Sequence, residues 1–364
     1  MIMKKILLKS FIIIILLICI FILPIFHPAG LAVYFRLLLL FLILVESLKL
    51  FKAVFIDRKI NKIVSNSATV LFSLFVIFIL LEAIFMFIPR SHSADYTLAS
   101  KLWYARYWKP INSLGFRDQE PDNNNPVILF VGDSFTAGHG LKSVNDRFSN
   151  MVGEELNNKK QKYTIINIGK PNLDSRGEYE TMINFLYLTR IKPQKIILQY
   201  CGNDIEGVAE SNGLIFSGFR PPEDMNKLLI FIGSGSYFFN YIYFLFPREY
   251  LGLSYIAYLT NAYKNDKVLS EHKNDLRLFV DYARRNSIQL IVVVFPFLAD
   301  IEMSNSMYVN EIVVFFKANQ VNVINISELA KKMPVEERIV NKNDTHASKK
   351  LNRIIAREIL NKLE

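Results

Sequence analysis

The 364-residue chain carries two patterns of hydrophobic and polar positions. Up to about residue 90 the apolar positions are nearly continuous, in three stretches at about 10–26, 31–50 and 69–89. Each is long enough to cross a hydrocarbon core of about 30 Å as a helix. Beyond residue 125 the apolar runs are short, rich in Val and Ile, and separated by amphipathic segments. They predict strands at 126–132, 163–168, 195–200, 288–295 and 321–325, with helices near 144–158, 177–190, 270–286, 306–319 and 347–362. Short strands apolar on both faces, alternating with helices, predict an α/β fold with a doubly wound, five-stranded parallel sheet. The expected organisation is a membrane anchor of three transmembrane helices over 1–90, a connector over 91–125 and a folded domain over 126–364. An insertion at about 205–268 interrupts the alternation, and its stretch Tyr237–Phe246 is unusually aromatic. It reads as a helix packed on the domain, as a lid or acyl pocket, or as a face resting on the bilayer, where Tyr and Trp are favoured.

Charge sharpens the picture of the first third. Of the formal net charge of +10, residues 1–90 hold ten Lys and Arg against Glu46, Asp57 and Glu82, which leaves only about +3 for the remainder. That excludes a strongly basic face for nucleic acid. Lys4, Lys5 and Lys9 precede the first stretch, and Lys52, Arg58, Lys59 and Lys62 lie between the second and third. The positive-inside rule puts those flanks in the cytoplasm and everything after residue 90 outside, at a bacterial cytoplasmic membrane. A cleaved signal peptide is the alternative for the first stretch, but the apolar run is long and no A-x-A site follows. Ile18 before Cys19 does not suit a lipoprotein box either. Cys19 and Cys201 are not expected to pair. Arg36 and Glu82 fall at similar depths in their spans and are expected to pair, with separate snorkelling as the competing arrangement. Glu46, deeper, is expected to reach Lys49 or a partner protein.

Candidate chemistry sits at the ends of the predicted strands. Val131-Gly132-Asp133-Ser134 follows the first strand, Asn167-Ile168-Gly169 the second, and Gly202-Asn203-Asp204 the third. A serine hydroxyl needs a base and an anion hole to become a nucleophile. Glycine allows close approach of a backbone N–H, and Asn203 offers side-chain N–H donors. Near the C-terminus Asp344-Thr345-His346 offers a base with a carboxylate beside it. Among five histidines, His27 lies between spans, His92 just after the third, and His272 in a charged stretch where it is expected to be solvated. His139 shares the serine turn and is a weak base candidate without a carboxylate on its own loop. Asp133 and Asp204 read as local acceptors for backbone N–H groups. No metal-ligand spacing and no Gly-rich phosphate loop occur, so neither metal nor cofactor is expected.

The order Ser134, Gly169, Asn203, His346 resembles the four blocks of the SGNH hydrolases, or GDSL esterase/lipase family, over roughly residues 111–362. Asn112-Ser113-Leu114-Gly115-Phe116-Arg117 is also similar to a segment preceding the serine block in membrane-anchored members. The resemblance implies a flavodoxin-like strand order 2-1-3-4-5, Ser134 as nucleophile, His346 as base, and an oxyanion hole of the Ser134 and Gly169 N–H groups and the Asn203 amide. One departure stands at the last block. The family's spacing is Asp, two residues, His, then Pro; here Asn343 occupies the Asp position and Ala347 the Pro position, leaving Asp344 as orienter of His346. The chemistry implied is acyl transfer through a serine ester. The expected substrate is an acyl ester, foremost an O-acetylated envelope glycan or lipid. Alternatives are an O-acyltransferase working beside a multi-span membrane acyl donor, and a non-catalytic assembly or binding module on the same fold.

Overall fold

The long apolar stretch before Pro89 forms one continuous helix, Arg58–Phe85. The computed structural model describes residues 10–15, 18, 38–39, 41–47, 50, 58–93, 97–160, 162–216, 235–245 and 249–363. The chain divides into two units, one of 1–88 with 225–243 and the other of 89–224 with 244–364.

In the first unit Ser65–Phe85 has a mean hydropathy of 2.6 and the length to cross a membrane. The helix starts earlier and ends sooner than the predicted 69–89, because the polar residues from Arg58 onward include no helix breaker. Of the first two expected spans, only parts such as 10–15 and 41–47 are described, and these are helical; the rest lie outside the described residues. Phe41 stacks on Phe75 with ring centroids 3.8 Å apart. The aromatic part of the insertion forms the helix Tyr237–Tyr243. Phe238 and Tyr241 pack on Phe85, and Phe239 on Phe78. Glu82 caps this helix: its carboxylate accepts from the Ser236 hydroxyl and from the N–H groups of Tyr237, at 3.0 Å, and Phe238, at 3.1 Å. Arg36, the partner expected for Glu82, lies outside the described residues; among the described residues the N-terminus of the Tyr237–Tyr243 helix faces the Glu82 carboxylate.

The second unit is built on five parallel strands, β1 (Val127–Val131), β2 (Thr164–Asn167), β3 (Pro193–Tyr200), β4 (Gln289–Val294) and β5 (Asn322–Asn325), in the order β2-β1-β3-β4-β5. The strands, their order and the alternation with helices follow the pattern expected from the sequence. All five residues of β1 are buried. Val127, Leu129 and Val131 enter one apolar layer and Ile128 and Phe130 the other. A strand buried on both faces has no polar alternation to show, and this is the run that the sequence displays. The helices Ser175–Thr189 and Asp266–Arg285 cover the first face. The helices Phe148–Asn158 and Lys349–Leu363 cover the second, with Val152 and Leu156 in the same cluster as Leu351, Ile355 and Ile359.

Two departures bear on function. The C-terminal helix expected from about 347 starts at Lys349, and His346 stands before it. His346 lies on β7 (Asp344–Ala347), which pairs antiparallel with β6 (Ile339–Asn341). His272 is not solvated but fully buried, on the face of its helix that also carries Val268, Leu276, Phe279 and Ala283. That spacing of three and four residues is an apolar stripe, which outweighs the charges flanking His272.

From Thr97 onward the connector braces the serine turn. Thr97 caps the helix Leu98–Tyr107 by accepting from the Ser100 N–H at 2.9 Å. Asn112 Oδ1 accepts from the Leu114 and Phe116 N–H groups and shapes the turn that delivers Arg117. Arg117, 1% exposed, donates to the carbonyls of Ala137, Gly138 and Leu141 after the serine turn, and to that of Tyr107. Trp103 and Trp108 cover its guanidinium. Burial and the neighbouring Arg147 lower its pKa to about 10. Arg147 in turn bonds the Arg117 carbonyl and Asp118 Oδ1, and Asp118 Oδ2 accepts from the Asn167 N–H at the end of β2.

Candidate active site

Strands β2, β1 and β3 are neighbours, and all three end at the same edge of the sheet, where open α/β sheets place their ligands. From β1 the chain turns through Gly132 into the short helix Ser134–Ala137. A Cβ on Gly132 would stand 2.3 Å from Thr136 Oγ1 and 2.5 Å from Gln199 Oε1, so only glycine admits the turn. Asp133 caps the helix by accepting from the Phe135 N–H at 2.9 Å. Ser134 is thereby presented half-exposed, and its N–H precedes any intrahelical acceptor.

Ser134 Oγ is 2.8 Å from His346 Nε2, and His346 Nδ1 is 2.6 Å from Asp344 Oδ1. Asp344 is fully buried. Burial pushes its carboxyl pKa up, but the charge on His346, the hydrogen bond to it and the nearby His139 outweigh this and hold it well below the usual carboxylate range. An ionised carboxylate only accepts, so Nδ1 carries the imidazole proton and the Nε2 lone pair faces the serine hydroxyl. The sequence places these groups more than 200 residues apart, and β7 explains their fit. On a strand, residues i and i+2 share a face, so a separation of two aligns Asp344 with His346. Asn343 points elsewhere, its amide donating to the Phe244 carbonyl and its N–H to Asn341 Oδ1.

Asn203 lies on the turn Gly202–Ile205 after β3. One of its amide N–H groups donates to Asp133 Oδ2 at 3.0 Å, and an amide has two. Asp204 Oδ2 accepts from the Cys201 N–H and closes the turn. Gly169 is placed by close approach: a Cβ there would stand 2.5 Å from the Ala137 backbone nitrogen. Its N–H, expected to face an oxyanion, is given to Asn167 Oδ1 at 3.0 Å. Asn167 also donates to the Thr136 carbonyl and to Ser149 Oγ, tying the β2 loop to the serine helix. The Asn167-Ile168-Gly169 spacing suits the local Asx-type bond to the Gly169 N–H, whereas the Thr136 and Ser149 partners come only from the packed loops. Asp133 and Asp204 act as the local acceptors expected of them. With Glu178 they form a buried acidic group in which burial first, then mutual repulsion, raises the pKa values of Asp204 and Glu178 well above the carboxylate range.

His139 has a larger place than its sequence context suggested. Its ring stacks on His346, centroids 4.3 Å apart and 27° between planes. Its Nε2 is 3.1 Å from the His92 carbonyl and 3.6 Å from Asp344 Oδ2. The carbonyl only accepts, so Nε2 carries the proton and Nδ1 accepts from the Tyr104 hydroxyl at 3.0 Å. Burial, with the adjacent His346, lowers its pKa to about 3, so it is neutral at neutral pH. His139, Asp344 and His346 also form the one His/carboxylate cluster among the described residues compact enough for a metal, with donor atoms within 4.8 Å. Every ring nitrogen in it is engaged with Ser134, Asp344, Tyr104 or the His92 carbonyl, so the three side chains form one hydrogen-bonded relay.

No family model matches the chain, and no curated protein matches it. Among solved structures it is similar to TesA, at 11% identity and a TM-score of 0.41, covering 65% of this chain and 98% of that one. It is similar to the psychrotrophic esterase EstA from Pseudoalteromonas sp., at 12% identity and a TM-score of 0.40, covering 66% and 97%. It is also similar to AlinE4, an SGNH-hydrolase family esterase, at 14% identity and a TM-score of 0.37, covering 67% and 97%.

Proposed function

We propose that this protein is a membrane-anchored serine esterase of SGNH type that removes O-acyl groups, foremost O-acetyl, from an envelope glycan or lipid. The observation that carries the catalytic reading is the unbroken relay Ser134 Oγ, His346 Nε2, His346 Nδ1, Asp344 Oδ1, with links of 2.8 and 2.6 Å. The anchor and the outward orientation rest on the apolar helix Ser65–Phe85 and on the Lys and Arg distribution before residue 65.

In this mechanism Ser134 Oγ attacks the acyl carbonyl as His346 Nε2 takes its proton. Asp344 holds the imidazole in the Nδ1–H tautomer and stabilises the imidazolium. The oxyanion is met by the Ser134 N–H and by the second N–H of the Asn203 amide, each such donor contributing about 3 kcal/mol in the transition state. His346 then protonates the departing alcohol. Water then attacks the acyl-serine as His346 Nε2 takes its proton; the tetrahedral intermediate collapses, His346 returns that proton to Ser134 Oγ, and the carboxylic acid departs from the restored serine and imidazole. A glycan hydroxyl in place of water makes the same site an O-acyltransferase; the two differ only in the second acceptor.

A serine-directed phosphonate probe is expected to label Ser134, and Ser134→Ala to lose both labelling and p-nitrophenyl acetate cleavage. Undiminished turnover in Ser134→Ala sinks the reading. Running the reaction with a glycan acceptor separates the two fates, since acyl appearing on the glycan identifies transfer. Cysteine accessibility is expected to place position 59 inside and position 123 outside; a cytoplasmic position 123 removes envelope substrates from consideration.

A further inference from the structure

The turn that carries Asn203 is held from behind by three buried side chains from three separate elements. Tyr200 is the last residue of β3, Tyr263 lies on the helix Glu249–Lys264, and His272 lies on the helix Asp266–Arg285. The Tyr263 hydroxyl is 3.0 Å from the Gly202 carbonyl oxygen. Tyr200 and Tyr263 hydroxyls are 2.6 Å apart, and the Tyr200 hydroxyl is 2.9 Å from His272 Nε2. One end of this row has a fixed polarity. A carbonyl oxygen only accepts, so the single Tyr263 proton is spent on Gly202. The bond between the tyrosines is then made by the Tyr200 proton. With that proton spent, the bond to His272 is made by its Nε2–H. The deduction leaves His272 Nδ1 without a proton. Independently, Nδ1 is buried and has no hydrogen-bond partner among the described residues, which suits a bare lone pair far better than an N–H.

We propose that His272, Tyr200 and Tyr263 form a proton-ordered chain, running from His272 Nε2–H to the Gly202 carbonyl, that sets the aim of the Asn203 amide toward the oxyanion. The three are positioning residues, and the role rests on the esterase reading above. The chain fixes the residue directly before Asn203 while Asp133 fixes the Asn203 side chain itself. The turn is thus clamped at its backbone by the helical layer and at its side chain by the serine loop. An oxyanion donor does its work only if it is already aimed when charge develops.

The test compares Tyr263→Phe, His272→Leu and His272→Gln in the full-length protein, reading kcat and KM for p-nitrophenyl acetate. Tyr263→Phe and His272→Leu are expected to lower kcat by roughly tenfold to a hundredfold with KM little changed, the scale of a misaimed catalytic group. His272→Gln keeps an N–H donor for Tyr200 and is expected to recover most of the loss. A Tyr263→Phe enzyme with wild-type kcat overturns the proposal. So does a His272→Gln enzyme as impaired as His272→Leu. Solid-state NMR of the 15N-histidine-labelled wild type needs no variant to be active, and is expected to show His272 as the Nε2–H tautomer. An Nδ1–H tautomer overturns the chain even in an active enzyme. Absence of Ser134-dependent turnover in the wild type instead overturns the esterase reading and the role assigned to the chain, whichever tautomer is found.

Discussion

Asp344 and His346 stand on one face of β7, Oδ1 to Nδ1 at 2.6 Å, because their separation of two residues matches the period of a strand. Asn343, one residue earlier, faces the other way and bonds the Phe244 carbonyl.

Asp344→Asn is therefore expected to lower kcat by about 10³–10⁴, since an amide can favour the wrong imidazole tautomer. Asn343→Ala is expected to leave kcat within a few-fold of wild type. Steady-state kinetics on both variants check the assignment, and reversed effects would move the acid to position 343.

Arg117 makes four hydrogen bonds to main-chain carbonyls, three of them on the loop that follows Ser134. Arg117→Met keeps much of the bulk and removes every donor. Hydrogen bonds from charged groups contribute about 1.5–3 kcal/mol each, so a loss of at least about 3 kcal/mol is expected. Denaturant unfolding measures it, and hydrogen exchange is expected to rise first at 137–141. A variant within about 0.5 kcal/mol of wild type, the range of ordinary surface changes, would contradict the clamp.

Burial lowers the pKa of His272 to about 3, with Lys273 adding to the effect. The unfolded value is near 6.5, so as pH falls below about 6.5 the unfolded chain takes up a proton that the folded one refuses. This histidine's contribution to stability is present above that pH and is lost toward pH 3, by up to about 1.4 kcal/mol per unit. Glu178 and Asp204, whose pKa values are raised, act in the opposite sense. The quantity to measure is thus the difference in unfolding free energy between wild type and His272→Gln. It is expected to shift against wild type between pH 7 and pH 5, and a difference flat with pH would mean that His272 titrates normally in the fold.

Glu82 sits in the apolar helix with its carboxylate occupied by Ser236, Tyr237 and Phe238. Glu82→Leu removes all acceptors and is expected to free the Tyr237–Tyr243 helix, seen as faster protease cleavage near 235–245 in membranes. Glu82→Gln keeps one acceptor oxygen and is expected to fall between. Equal cleavage in all three proteins would deny the cap.

The sequence by itself determined the parts that depend on periodicity and on local chemistry. Runs such as Val127–Val131 can be satisfied only between two covering layers, which makes the parallel sheet legible. Gly132-Asp133-Ser134 announces a turn that presents a serine, because glycine and a capping aspartate leave few other conformations. The tertiary structure decided what stands opposite what. Whether Asp344 or Asn343 faces His346 depends on β7 being a strand, and β7 exists because β6 pairs with it. The stacking of His139 on His346, the bonds from Asn167 to the Thr136 carbonyl and Ser149, and the burial of His272 beneath the Asn203 turn each join residues whose own neighbours in sequence carry no sign of the partner. Periodicity states which face of an element is buried, and only the packed fold states against which side chain, since a hydrogen bond is fixed by distances of a few ångströms that spacing along a chain does not encode.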